Sequence, residues 1–355
     1  MRRTAYVAFL VGLVGLMSMA CSSTNPYYDP TKPHHTAQGF KNNYQQGEMV
    51  SSLWRWQWER WRDGLPKAPQ NGYSFPVEKP DTAWLQNNRS QTTATWIGHA
   101  SVLVQINGVN LLTDPIFSER ASPVQWTGPK RFVPPALTLS ELPHIDVVLI
   151  SHNHYDHLDL GSVLALNAQS GGAPLFLVPL GVKPWMQAQG IKNVRELDWW
   201  QQENVAGVEL SLVPVQHWSA RSVTDRFETL WGGWIARTDK NSPKPFTLFF
   251  SGDTGYSKDF ADIHRRFGPV DLALLPIGAY EPRWFMQRQH INPAEAVQIH
   301  QDLHAKQSLG IHWGTFELTD ESLDEPPRAL AEAVSKAGLS SDAFVIVRHG
   351  GMLKF

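Results

Sequence analysis

Ser151-His152-Asn153-His154-Tyr155-Asp156-His157 is the stretch on which the reading of this chain turns. Three imidazoles and a carboxylate fall within the six residues from His152 to His157, directly after the apolar run Asp146 to Ile150. Neutral imidazole and carboxylate are the donors that divalent transition ions take, and a loop can turn successive side chains toward two neighbouring positions. For any single histidine of the 14 in the chain a surface or satisfied-core role is the better reading, whereas so dense a cluster points to a metal site. Outward from this loop, three further apolar runs end in polar residues: Leu210 to Val215 before His217, Phe246 to Phe250 before Asp253, and Leu309 to Ile311 before His312. Rigid strands aim side chains into the loops at their ends, so these runs read as strands that deliver a site. Upstream, Thr95-Trp96-Ile97, Val102 to Ile106 and Val109 to Leu112 read as strands, with Asn107-Gly108 closing a tight hairpin. Asn292-Pro293-Ala294-Glu295 carries an N-cap, a first-turn proline and a capping-box glutamate, which predicts a helix. Strands and helices interleave, and no repeat or low-complexity linker divides residues 93–355, which are expected to form one hydrolase domain.

The pattern HxHxDH at His152, His154, Asp156 and His157 resembles the metallo-β-lactamase superfamily. The resemblance implies an α/β fold, a four-layer αββα sandwich, holding two divalent metal ions. It implies that His152, His154 and His217 hold one ion, Asp156, His157 and His312 the other, and that Asp253 bridges them, while Asp114 supports the ligands from behind. Zinc is the first expectation, and iron and manganese stay open because His and carboxylate sites accept all of them. A narrower similarity lies in Gly278-Ala279-Tyr280-Glu281-Pro282-Arg283-Trp284-Phe285-Met286, in Gln289-His290 and in Ile311-His312-Trp313-Gly314-Thr315-Phe316. These resemble the phospholipases D that hydrolyse N-acyl-phosphatidylethanolamines, over roughly Gly39 to Pro327. At the N-terminus the pattern departs, since Gly39-Phe40-Lys41-Asn42-Asn43-Tyr44 is only a loose counterpart of the family's Phe-x-Asn-Pro-Trp element.

Two metals about 3.5–4 Å apart lower the pKa of a shared water and polarise a phosphoryl oxygen, so no protein nucleophile is needed. Asp156, beside the attacked centre, could also take the proton of that water. The resemblance implies phosphatidate and an N-acylethanolamine as products, and places Tyr155, Gln289 and His290 against the substrate phosphate. Each has a plainer reading: Tyr155 packing beside the metal loop, Gln289-His290 holding their own loop. Asp159 either orients a ligand imidazole or caps the helix that follows. His300 and His304, four apart, read as a solvated helix face. By the same resemblance His99 belongs to the first hairpin and is expected near the site, without a ligand's place in the motif, and His34, His35, His144, His264 and His349 receive no role.

Residues 1–20 have the order of a secretory signal: Arg2 and Arg3, an apolar run from Ala5 to Met19, and Ala20. Cys21 is the only cysteine of the 355 residues, which excludes intrachain disulfides and cysteine-based metal sites. Ser18-Met19-Ala20-Cys21 resembles a bacterial lipobox, although Ser18 stands where leucine is commoner, so Cys21 is expected to carry lipid and hold the protein on the cell envelope, at the outer membrane if the source has one. Cleavage without lipid is the alternative. Residues 21–92 are expected to form the lipidated N-terminus, a tether and a Trp-rich wrapping segment, within which Trp54, Trp58 and Trp61 share one face of a helix. That face is expected to pack on the main domain, with contact to a membrane or acyl chain as the second reading. With 31 Lys and Arg against 33 Asp and Glu the chain lacks the positive field that draws proteins onto nucleic acid, which is not an expected partner. A phospholipid is the expected substrate and a homodimer is left open. The rivals are a metallohydrolase of lactones, β-lactams or other esters on the same scaffold, and a non-catalytic envelope lipoprotein.

Overall fold

The computed structural model describes residues 24–44, 53–66 and 68–355. The expected signal segment 1–20 and the expected lipid site at Cys21 lie outside the described residues. The N-terminal segment pairs β1 (His35–Thr36) with β2 (Gly39–Phe40), and the helices α1 (Leu53–Asp63) and α2 (Thr82–Asn87) follow. Then come β3 (Thr93–Gly98), β4 (Ser101–Ile106), β5 (Val109–Thr113), β6 (Val147–Leu149), α3 (Leu160–Asn167), β7 (Leu175–Pro179), α4 (Val182–Ala188) and β8 (Val194–Leu197). The second half runs β9 (Gln202–Val205), β10 (Val208–Val213), β11 (Gly233–Thr238), β12 (Thr247–Phe250), α5 (Asp259–Phe267), β13 (Leu272–Pro276), α6 (Arg283–Met286) and α7 (Pro293–Asp302). It closes with β14 (Gln307–Ile311), α8 (Glu325–Lys336), β15 (Phe344–Val345) and β16 (Met352–Lys354).

Two seven-stranded sheets result, in the orders β16-β3-β4-β5-β6-β7-β8 and β15-β14-β13-β12-β11-β10-β9. Every residue of β3, β4, β5, β6 and β13 is buried, because each sheet is covered on both faces. Between the sheets Trp96, Val104 and Leu111 pack in one cluster with Leu210, Trp234 and Phe250. On the outer face of the first sheet Leu103, Val148 and Phe176 meet Val163 and Leu166 of α3 and Val182 and Met186 of α4. On the outer face of the second lie Phe260 and Ile263 of α5, Val297 and Ile299 of α7, and Leu330 and Val334 of α8. This is the four-layer αββα sandwich. Asn107 and Gly108 have φ of 51° and 78°, the left-handed pair that a two-residue hairpin needs. Asn292 caps α7 in a complete capping box with Glu295.

Residues 24–44 lie along the domain rather than away from it. His34 Nε2 lies 2.7 Å and His35 Nε2 3.1 Å from the buried Asp198 carboxylate, which Lys32 also pairs with, and the His34 ring stacks on Trp199 at 4.4 Å. Two expectations are corrected here. The Trp54, Trp58 and Trp61 side of α1 faces outward, because Trp56 is the indole that docks: it stacks on Phe285 at 4.9 Å and donates to Asp320 at 2.7 Å. His300 is buried, its Nδ1 2.9 Å from Ser308 Oγ, and His304 lies past Asp302, the last residue of α7, so the two do not form a solvated helix face. Among the described residues no helix is long and apolar enough to cross a membrane.

Candidate metal centre

All the chemistry-bearing loops leave the same edge of the two sheets. His152 to His157 follow β6, His217 follows β10, Asp253 follows β12 and His312 follows β14 at once. The backbone closes tightly there. A Cβ on Gly252 would meet Ser151 Cβ at 2.4 Å, so glycine lets the loops before His152 and Asp253 touch. His99, Asp114 and His312 all have positive φ (53°, 29° and 62°), a conformation side-chain-bearing residues adopt at a cost and which clusters at working sites. His312 N donates to the His99 carbonyl at 2.9 Å, tying the β3–β4 hairpin to the end of β14 across the sandwich.

Two groups of donors converge. In the first, His152 Nε2 and His154 Nδ1 lie 2.8 Å apart, with His217 Nε2 3.4 Å from His154 Nδ1. Burial holds all three imidazoles neutral, His154 down at about 4 and His152 and His217 well below the usual value. His152 spends its N–H on Ser151 Oγ (2.9 Å), which in turn donates to Asp114 (2.5 Å), and His217 Nδ1 donates to the Gln289 carbonyl (2.8 Å). Their remaining lone pairs therefore face one point, an arrangement that repels itself unless a cation lies between. In the second group Asp156 Oδ2 is 3.3 Å from His157 Nε2 and 3.4 Å from His312 Nε2. Asp114 accepts from His157 Nδ1 at 2.6 Å and turns its Nε2 inward. Burial pushes the His157 imidazole down, but the carboxylates of Asp253, Asp156 and Asp114 overcome this and hold it well above its usual value; positive charge is favoured at that spot. Asp253 stands between the groups, 3.1 Å from His157, 3.2 Å from His312 and 4.0 Å from His217. The donor set fits divalent ions.

The other expected residues gather here too. His290 is buried with Nδ1 3.8 Å from Asp253 and no hydrogen-bond partner, so this ring faces the cluster with a free nitrogen. Gln289 serves the site through its backbone carbonyl on His217 and is among the residues that line the adjoining pocket. The Tyr155 hydroxyl donates to the Arg221 carbonyl at 2.7 Å, and the ring lies 4.1 Å from the Arg221 guanidinium. Asp159 caps α3 through Ser162 N and touches no ligand ring, which decides between its two readings. His99 stands beside the ligands, near the site as expected: burial takes its imidazole down to about 3, and the neutral ring donates from Nε2 to Asp156 at 3.0 Å. Three residues to which the sequence reading gave no role also serve the site, although Asn42 lies in the segment compared with the Phe-x-Asn-Pro-Trp element and Trp56 in the Trp-rich segment. Arg221 donates to the carbonyls of Asn153 and Leu158 (2.8 and 2.9 Å) and so sets the metal loop. Asn42, from the N-terminal segment, grips both backbone polar groups of His217 (3.1 and 2.9 Å). Trp56 of α1 lines a pocket of about 310 Å³ that opens on His154, Asp156 and Asp253. Trp218, Phe285, Met286 and Leu318 make much of its remaining wall apolar. Arg283 braces that wall, donating to the carbonyls of Tyr280 and His290 and pairing with Glu295 at 2.7 Å.

Residues 109–313 match the profile of the β-lactamase superfamily domain. The chain belongs to the metallo-β-lactamase superfamily. Within this superfamily it is 41% identical over 276 residues, 74% of this chain and 76% of the other, to a protein of Caenorhabditis elegans named N-acyl-phosphatidylethanolamine-hydrolyzing phospholipase D 1. A metal-dependent hydrolase of Methanopyrus kandleri is 27% identical over 71% of this chain and 95% of its own length. In fold the chain is similar to an isothiocyanate hydrolase from Delia radicum gut bacteria, with a TM-score of 0.58 and 19% identity over 74% of this chain and 99% of that one. It is thus a member of a family of metal-dependent hydrolases.

Proposed function

We propose that this protein is a phosphodiesterase of the phospholipase D type that hydrolyses N-acyl-phosphatidylethanolamine-like phospholipids to an N-acylethanolamine and phosphatidate. The observation that carries the reading is the meeting of two chemistries in one pocket, a dense His and Asp cluster on its floor and the apolar Trp56, Trp218, Phe285, Met286 and Leu318 around it. A phosphodiester carried on acyl chains needs both. The name of the 41% identical relative supports the same substrate class. His152, His154 and His217 would hold one divalent ion and Asp156, His157 and His312 the other, with Asp253 shared, and zinc is the ion proposed. When bound, such ions supply Lewis acidity and a water that is acidic at neutral pH.

The chain's own residues do the rest. Asp156, held in place by His99, is the carboxylate beside the reacting centre and can accept the proton of the attacking water. His290 presents a free ring nitrogen toward the same space and can hydrogen-bond a phosphate oxygen, while Tyr155 and Gln289 line the approach. The apolar wall seats acyl chains and keeps bulk water from the site. Lipid on Cys21 would hold the enzyme at the envelope membrane where its substrate resides, raising the local concentration each meets.

The deciding test offers N-acyl-phosphatidylethanolamine in detergent micelles to the zinc-loaded protein beside the Asp253→Asn and His154→Ala variants. Release of N-acylethanolamine by the parent alone is the expected result. A folded, metal-loaded parent that releases none would sink the phospholipid reading and send the search to lactones and other esters.

A further inference from the structure

Among the described residues, helix α1 meets the domain through one side. Trp56 stacks on Phe285 and bonds Asp320, Arg60 pairs with Asp320 at 3.2 Å, and Glu59 accepts from Trp284 Nε1 at 3.0 Å. Arg55 lies over Trp284 at 4.1 Å. The opposite side carries Trp54, Trp58 and Trp61, spaced four and three apart and therefore on one stripe, with 87%, 52% and 82% of their surface exposed. Burying any one of these indoles would be favourable, and among the described residues they pack on no part of the apolar core, Trp58 being touched by the Arg62 guanidinium of the same helix at 4.5 Å.

A related pattern occurs in two other segments that line the pocket. The segment that contributes Ala121 to the pocket wall exposes 80% of Trp126 five residues later, and the segment that contributes Trp218 leaves Val223 wholly exposed. Helix α1 itself contributes Trp56 to the wall and the three indoles outside. Three separate segments thus each contribute a residue to the pocket lining and, within five residues of it along the chain, expose at least one large apolar side chain. Tryptophan is the side chain of the bilayer interface, where an apolar ring and a polar N–H are both satisfied. The arginines of α1 are each paired with a carboxylate, Arg55 with Glu59, Arg60 with Asp320 and Arg62 with Asp63, so what this face offers a bilayer is indole surface rather than net charge.

We infer that the Trp54, Trp58 and Trp61 face of α1, with Trp126 and Val223, is a bilayer-docking surface that seats the pocket mouth on the lipid, so that a phospholipid can enter without crossing water. The inference rests on the phospholipid reading above for the purpose of docking, and the docking itself is measured separately. Residues 1–23 contain no tryptophan, so indole fluorescence reports the folded part whatever the N-terminus does.

The test uses the full-length, zinc-loaded protein with vesicles of phosphatidylcholine and phosphatidylglycerol, a fraction of the phosphatidylcholine brominated on its acyl chains. The expected result is quenching of the parent's indole fluorescence, with most of it lost in the triple variant Trp54→Ser, Trp58→Ser, Trp61→Ser. Turnover on vesicle-borne substrate should fall by at least about tenfold in that variant, while turnover of a short-chain substrate below its micellar concentration stays unchanged and shows that the fold and site are intact. Equal quenching in parent and variant, or none in the parent, overturns the inference. So does a shift from dimer to monomer in the variant with vesicle binding retained, which would make the face a contact between two copies. If quenching behaves as expected but neither protein hydrolyses the short-chain phospholipid, the docking surface stands and the proposed substrate falls.

Discussion

At the scale of single residues, the centre is organised as much by what stands behind the ligands as by the ligands. Asp114 accepts from Ser151 N, Ser151 Oγ and His157 Nδ1, and so fixes the ring orientation of His157 directly and that of His152 through the serine. Burial raises the Asp114 carboxyl, and its His157 and Ser151 partners work against that rise. Such groups are worth nearly as much as ligands. The Asp114→Asn variant keeps the volume but loses an acceptor for the His157 N–H; metal affinity is expected to fall about 10–100-fold, read by competition with a chromophoric chelator, with the far-UV circular dichroism unchanged. An affinity equal to the parent's would show that His157 needs no such anchor. Asn42 acts in the same manner on His217 from a segment 175 residues away, tying the N-terminal segment to a ligand's backbone.

At the scale of elements, the segment 24–44 is a strap whose buckle is Asp198 at the end of β8. Burial pushes the Asp198 carboxyl up, and the hydrogen bonds from His34 and Lys32 more than reverse this, holding it well below the usual carboxylate range. A carboxyl so depressed contributes stability that is present at neutral pH and is lost as the pH falls below about 4. Asp198→Ala leaves buried ring nitrogens and an ammonium without their acceptor. It is expected to cost about 2–3 kcal/mol in urea unfolding at pH 7, less than a wholly buried pair because Lys32 is a third exposed. The difference between variant and parent should shrink as the pH is taken from 5 toward 2. A constant difference across that range would place the effect in packing rather than in charge. Because the strap ends on Asn42, the same variant should also weaken activity more than a change of equal stability elsewhere.

At the scale of the whole molecule, the two sheets share an apolar core, and at one edge of it the polar, chemistry-bearing residues of both sheets meet. Seven imidazole and carboxylate groups from four loops meet there, His152, His154, His157 and His217 with Asp156, Asp253 and His312. Without cations the carboxylates and neutral rings are poorly matched, so ions that bind only the folded state stabilise it by mass action. Stripping the protein with a chelator is expected to lower the Tm by several degrees, and restoring zinc to recover it. The Asp253→Asn variant should show a smaller difference between the two states. A Tm indifferent to chelation in the parent would mean that the centre is satisfied without metal.

What the sequence determined by itself is what its local patterns can carry. Asn107-Gly108 specifies its turn, Asn292 to Glu295 specifies a helix start, and the apolar runs before His152, His217, Asp253 and His312 specify strands that end at the site, because each signal is complete within a few residues. The ligand spacing is equally local for His152 to His157. The tertiary structure alone decided which surfaces meet. That Trp56 docks while Trp54, Trp58 and Trp61 face outward depends on Phe285 and Asp320, more than 200 positions away. The burial of His300 against Ser308, the grip of Asn42 on His217 and the closeness of His99 to Asp156 depend likewise on how separate elements are placed. A periodic pattern shows that an element has a face, and only the packed neighbours determine whether that face is covered.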